Sequence, residues 1–401
     1  MQAPTPRTRW TLAIVSLALF MVVLDNLIVT VALPAIRADL GASLQSLEWT
    51  INAYTLAFAV TLIPGAALGI WSGISGTGIA LGPLVGGAVV EGISWHWIFW
   101  INVPIGLALL PVAAMLLRES HGPSNRIDLP GVTLAAGGLF ALVFGLVRGQ
   151  GEGWTNPIIV AALAGGVALL AAFVAWERRA ADPMVPMHLF RNRTFTITNG
   201  VSFFMYFGTF GSIFLLTQVL QNIMGYSPFQ AGVRMLFWTG ASMVVAPIAG
   251  ILSERYGSRG FMATGLALQA AALAWFAATT STTETFGQVL PAFVMAGAGM
   301  ALVFAPSASA LLSVVTPALA GKASGTNNAI REVGGVFGVA VLSTIFAESG
   351  SLSSPRAFVD GVVPSLWVGA AVVAVGALVA LLLPRGKAAP AIDPAVQPVA
   401  A

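Results

Sequence analysis

The chain has 401 residues, of which 57% are hydrophobic and only 8% charged, with a formal net charge of +3 and a mean hydropathy of +0.88. Soluble domains carry about 25% charged residues, so the composition excludes a soluble globular protein and specifies an integral membrane one. The small net charge, carried in loops between apolar runs, excludes a nucleic-acid surface. With no cysteine, disulfides, thiolate chemistry and cysteine metal sites are excluded as well.

The N-terminus, Arg7 and Arg9 followed by an apolar run from Trp10 to Pro34, has the charge pattern of a signal peptide. The run is longer than a ~7–15-residue signal core and lacks a small-residue cleavage site after it, so it reads as a first transmembrane helix. Spanning takes ~20 mostly apolar residues. That length predicts spans at 11–34, 49–69, 70–91, 97–117, 129–148, 157–176, 197–220, 235–253, 260–280, 286–312, 325–347 and 361–383. The Pro/Ala-rich tail from Lys387 cannot bury a core and is expected to be disordered.

Within the third span, Gly78, Gly82 and Gly86 recur every four residues, with Pro83 and Gly87 beside them. In water an interior glycine costs about 1 kcal/mol and a proline about 3 kcal/mol relative to alanine. In lipid the small stripe lets a second helix approach backbone to backbone. A tightly packed, bent helix is expected. Spans two and three run together from Trp49 to Val90 with no charged residue between them, which is unusual for a turn on the cytoplasmic side.

With the N-terminus inside, the inner face collects Arg7, Arg9, Arg118, Arg126, Arg178, Arg179, Arg191, Arg193, Arg255, Arg259, Lys322, Arg385 and Lys387. The outer face receives only Arg37, Arg148, Arg234 and Arg356. Positive charge marks the cytoplasmic side, so both termini are expected there, in a multi-pass protein of the cell membrane.

Asp25 lies mid-span between Leu24 and Asn26. A carboxylate at that depth costs a few kcal/mol even on insertion scales. It reads as a protonatable group for ion coupling or for a cationic substrate, the alternative being a structural acid bonded to a neighbouring helix. Arg331 and Glu332 lie inside span eleven, where the arginine can snorkel and the glutamate can pair with a loop; they are also candidates for proton coupling or substrate contact. Asn26, Asn102 and Tyr206 are candidate cavity-lining residues. Asn327 and Asn328, at the start of span eleven, read as helix caps, the alternative being that they line a cavity. Trp95, Trp97, Phe99 and Trp100 read as an interfacial belt, and Met205, Tyr206 and Phe207 as packing residues.

Enzyme signatures are not met. Gly76-x-Gly78-x-x-x-Gly82 has the wrong spacing for a dinucleotide loop, and Gly321-Lys322 continues with Ala323, so it is no phosphate loop. His96, His121 and His188 are scattered without metal-ligand spacing. Neither an enzyme, a metal site nor a cofactor is expected.

Several stretches resemble one family. Leu24 to Pro34 (LDNLIVTVALP) is similar to the first-helix motif of the fourteen-span drug:proton antiporters of the major facilitator superfamily. Gly78-x-x-x-Gly82-Pro83-x-x-Gly86-Gly87 resembles the antiporter motif of that superfamily's fifth helix, and Trp95 to Gly106 the start of the sixth. Gly225 to Gly232 and Gly321 to Gly338 resemble the C-terminal half. Gly250-x-Leu252-x-Glu254-Arg255-x-Gly257-x-Arg259 resembles the second-half copy of the cytoplasmic loop motif. Where the family's first copy carries Asp-Arg, this chain has Ile70 and Trp71, and from Ala67 onward it already resembles the fifth helix. The third and fourth family helices are thus expected to be missing, an even number that preserves the orientation of the downstream helices.

The resemblance implies an all-α major facilitator fold of about 12 transmembrane helices, with a reduced N-terminal bundle of four spans (1–117). A two-helix insertion with a cytoplasmic linker (118–196), a six-helix C-terminal bundle (197–386) and the tail (387–401) complete it. It implies rocking of two bundles around a central site, driven by the proton gradient, to export drug-like or metabolite small molecules. Asp25 would be the proton or cation site. The expected partners are a small-molecule substrate and the lipid bilayer, with no nucleic acid. The alternative is a transport-inactive remnant or a membrane interaction protein, since an open flank in a four-helix bundle is costly unless covered.

Overall fold

The computed structural model of the protein describes residues 28–41, 72–116, 128–316 and 319–385. Asp25, Asn26, the expected span 49–69 and the tail from 387 lie outside the described residues. The described residues are helical almost throughout. Helix α1 covers 28–40, α2 Ser72–Gly92, and α3 Asn102–Leu116 follows a single turn at Trp97–Trp100. Then come α4 Leu129–Glu152 and α5 Pro157–Glu177. The chain continues through α6 Arg193–Gln218, α7 Pro228–Tyr256, α8 Ser258–Thr279, α9 Phe286–Leu312, α10 Ala320–Ser349 and α11 Pro355–Ala380. The helices α4 to α11 are all long and apolar enough to cross a membrane.

A repeated local rule starts these helices. A short polar residue followed by proline stands at Asn156-Pro157, Ser227-Pro228 and Ser354-Pro355. The polar side chain accepts a free backbone N–H of the first turn, from Ile158, Gln230 and Ala357 respectively. Proline fits the first turn because its missing N–H would be unpaired there anyway. At α7 the Gln230 side chain also reaches back to Ser227, closing a capping box. Such caps lie in polar sequence ahead of the apolar run, so α7 and α11 begin earlier than hydropathy alone predicts (235 and 361).

Helices α6 to α11 enclose one apolar core around Phe214, Trp238, Phe276, Phe293 and Phe346. Phe276 meets Phe293 edge to face, with ring centroids 5.1 Å apart. Ile28 and Leu33 of α1 belong to the same core. The pair α4/α5 packs on itself and touches α10 through Val143 and Val147 against Val336 and Ala340. Most of α5 faces outward, as a lipid-bathed helix should.

The glycine stripe of α2 lies against α7. A Cβ on Gly87 would lie 2.8 Å from the Phe229 Cα, and one on Gly232 would collide with the Pro83 carbonyl. On the neighbouring face a Cβ on Gly86 would meet the Ile28 Cα of α1 at 3.0 Å. Gly82 and Pro83 are buried too, and the helix passes through Pro83 without interruption. Gly78 lies in the same helix. The loop motif also has a backbone reason. Gly257 joins α7 to α8 at φ 88°, a conformation that a side chain disfavours. Ahead of it the Ser253 hydroxyl donates to the Gly250 carbonyl; Glu254 and Arg255 are exposed and Arg259 half-buried.

Candidate functional site: a polar cluster between α6, α9 and α10

Charged and amide side chains inside spanning helices are expensive unless partnered. In this protein they gather between α6, α9 and α10. The two helices α6 and α10 meet closely because Gly338 sits over the Phe207 carbonyl and Gly334 over that of Phe203, leaving no room for a Cβ. That approach brings Asn327 within reach of α6, where its amide donates to Asn199 Oδ1 (3.0 Å) and Ser202 Oγ (3.1 Å). Asn327 is therefore an interhelix tie and not the cap expected from sequence; α10 starts at Ala320, two turns earlier. Asn328 is likewise inside the helix and stands 3.5 Å from Arg331 Nη1.

Arg331 and Glu332 are both buried. The guanidinium donates to Ser307 Oγ of α9 (2.7 Å), lies 4.4 Å from the Phe304 ring centroid and 5.9 Å from that of Tyr206. Its Nε and the Glu332 Oε2 have no hydrogen-bond partner among the described residues. The two side chains leave the helix at adjacent positions, which do not face each other, and no direct ion pair joins them. Arg331 does not snorkel to a helix end, as its sequence position allows; it points into α9. Tyr206 is half-buried on α6, stacked on Phe210 with centroids 5.2 Å apart. Met205 and Phe207 are core residues, as expected.

A second polar contact lies within the same bundle. Gln269 of α8 donates to the Thr209 hydroxyl (2.7 Å) and the Met205 carbonyl (3.2 Å), while its own Oε1 has no donor among the described residues. Sequence reading does not single out Gln269, Thr209, Asn199 or Ser202. The available signal is a lone amide in each apolar run, since such groups hydrogen-bond across membrane helices.

The remaining candidate, Asn102, stands elsewhere. Its amide donates to the Ile98 carbonyl at the start of α3 (3.2 Å). Nearby, Trp95 donates to Asp39 at the end of α1 (3.0 Å), while Trp97 and Trp100 are exposed, as an interfacial belt requires. The structure thus brings Tyr206, Arg331 and Glu332 together and keeps Asn102 apart from them. The cluster presents a cation, a carboxyl and aromatic faces inside a spanning body, which suits charge compensation or contact with a polar, aromatic solute. Among the described residues no group of three metal-binding side chains occurs.

Comparison with known proteins agrees with the helical architecture. The profile of the Major Facilitator Superfamily matches residues 64–339 and 198–398. The tetracenomycin C resistance and export protein of Streptomyces glaucescens is 31% identical over 455 aligned positions, covering 96% of this chain and 83% of that protein. The puromycin resistance protein pur8 of Streptomyces alboniger is 31% identical, covering 94% and 90%. Among solved structures, a bacterial homolog of the human lysosomal transporter Spinster, inward-facing and unoccupied, has 15% identity and a TM-score of 0.49 over 95% of this chain and 97% of that one. With the profile spanning well over half of its length, and relatives at 31% identity over nearly all of it, the chain is a multi-pass membrane protein of the major facilitator superfamily.

Proposed function

We propose that the protein exports drug-like or secondary-metabolite small molecules across the cytoplasmic membrane in exchange for protons, and that it performs no covalent chemistry. What carries the reading is the near full-length likeness to proteins named for antibiotic resistance and export. The helices 197–386 form the C-terminal bundle, 118–196 the inserted pair and its linker, and 1–117 a shortened N-terminal bundle that meets the former at α2 and α7. Both termini face the cytoplasm. Asp25 takes up and releases the coupled proton, and Arg331, Glu332 and Tyr206 face the transport path. The membrane potential supplies ~2.3 kcal/mol per charge per 100 mV.

The experiment is efflux from proteoliposomes under an imposed proton gradient, comparing the wild type with Asp25→Asn. Gradient-driven export is expected from the wild type and a loss of at least tenfold from the variant. Equal export by both removes Asp25 from the mechanism.

A second reading has its own observation. The 455-position alignment is longer than the 401-residue chain itself, so the relative carries segments this chain lacks, in keeping with the loss of the third and fourth family helices. A shortened N-terminal bundle favours a transport-inactive remnant or a membrane interaction protein. Robust export by the purified protein alone defeats that reading.

A further inference from the structure

The start of α4 and the end of α5 meet at two carboxyl groups that transport has not called upon. Asp128 caps α4: its Oδ1 accepts the Gly131 N–H (2.9 Å), and both its oxygens accept from the Trp176 indole (2.9 and 3.0 Å). Glu177, the last residue of α5, is 2% exposed. Its Oε2 accepts the Val185 N–H (3.0 Å) from the following linker, and its Oε1 has no donor among the described residues. A Cβ on Gly131 would lie 2.6 Å from Asp128 Oδ2 and 2.9 Å from Glu177 Oε1. Both acids therefore close over the same bare Cα, Asp128 Oδ2 and Glu177 Oε1 turned to one small space.

Two carboxylates cannot hydrogen-bond without a proton between them, and a buried acceptor with no donor is costly. The other charges facing the site do not supply that donor. Lys322 of α10 is engaged by Asp182 (2.5 Å) and the Pro183 carbonyl (2.8 Å), and Arg178 and Arg179 are exposed.

We propose that Asp128 and Glu177 form a proton-binding site that holds one proton between Glu177 Oε1 and the Asp128 carboxylate, locking the linker 178–192 onto the α4/α5 pair. When the proton leaves to bulk water, two like charges face each other across Gly131 and the joint loosens. Through Lys322 the linker is also tied to α10, which carries Arg331 and Glu332. The site stands apart from Asp25, and its existence does not depend on whether the chain transports.

The test uses the purified full chain in nanodiscs without any substrate. Infrared difference spectra between about pH 5 and about pH 9 are expected to show a protonated carboxyl band in the wild type that titrates away. Glu177→Gln, a neutral isostere that keeps the Val185 contact, is expected to lose the Glu177 component of that band and to retain only the part that Glu284 contributes. Limited tryptic cleavage reads the joint, because Arg178, Arg179, Arg191 and Arg193 are all exposed. Normalised to an unstructured reference peptide, cleavage in the linker is expected to rise several-fold with pH in the wild type and to stay flat in E177Q. Asp128→Asn, which retains a capping acceptor, gives the same infrared reading should E177Q fold poorly. An identical titrating band in wild type and variant overturns the proposal, as does an identical pH dependence of cleavage.

Discussion

Glu284 shows what a single residue does when an apolar wall surrounds a carboxyl. It lies in the loop between α8 and α9, outside the spanning segments, against Leu216, Phe276 and Phe293. Burial pushes its carboxyl up to about 7, and the Thr279 hydroxyl, 3.4 Å away, opposes this only in part. A raised folded value means that the native state holds the proton more tightly than the unfolded one. Stability is therefore highest below the ordinary carboxylate value of about 4.5 and falls as pH rises toward 7. Glu284→Gln removes the titration. Its Tm is expected to exceed the wild type's near neutral pH by the equivalent of about 2 kcal/mol, with the gap closing toward pH 4.5. Thermal unfolding of the two proteins in detergent across that range checks it, and a gap that widens on acidification has the wrong sign. Nothing in the local sequence, Thr-Thr-Glu-Thr in a polar loop, marks Glu284 as buried. Its environment comes from α6, remote in the chain, and from the ends of α8 and α9 that the loop joins.

At the scale of elements, the helices themselves are legible because each needs an apolar run of bilayer length. Their partners are legible only where small residues repeat. The stripe at Gly82, Gly86 and Gly87 foretells a close approach, and α2 does meet α7 and α1 through it. The sequence cannot say which helix is met, because Gly232, the complementary small residue on α7, stands alone among larger ones. Gly232→Leu drives a side chain into the Pro83 carbonyl. Overpacking of this kind costs about 1–3 kcal/mol, so a lower Tm is expected, whereas Gly240→Leu, where nothing lies within 4 Å of a Cβ, is expected to be neutral. Equal losses from both variants exclude a backbone contact at Gly232. The polar cluster is half legible for a related reason. Arg331 and Glu332 stand out in an apolar run. Asn327 passes for a cap because hydropathy places the helix start at 325, whereas the real start is at Ala320, in polar sequence that a hydropathy window discounts.

For the whole molecule, parity connects charge, helix count and the proposed shortening of the N-terminal region. Three spanning helices, α6, α7 and α8, separate the 178–192 linker from the 281–285 loop, so those two loops face opposite sides of the membrane. By the charge rule, the arginines at 178, 179, 191 and 193 are expected to hold the linker inside. Six expected spans lie between the N-terminus and the linker, so both fall on one side provided that 49–69 crosses the bilayer. The absence of cysteine makes this directly measurable with single substitutions and a membrane-impermeant maleimide in intact cells. Thr282→Cys, exposed in the outer loop, is expected to label without permeabilisation. Ala181→Cys, exposed in the linker, and Thr5→Cys near the N-terminus are expected to label only after it. Labelling of Thr5→Cys from outside, with the other two as stated, leaves an odd number of crossings, so that one of the six expected spans, 49–69 being the one the parity above depends on, does not cross. The N-terminal region would then have lost three crossings from the family pattern instead of two, and the orientation of α1 relative to α7 would be inverted. The charge distribution argues against that outcome, because it would move Arg7 and Arg9 to the outer face.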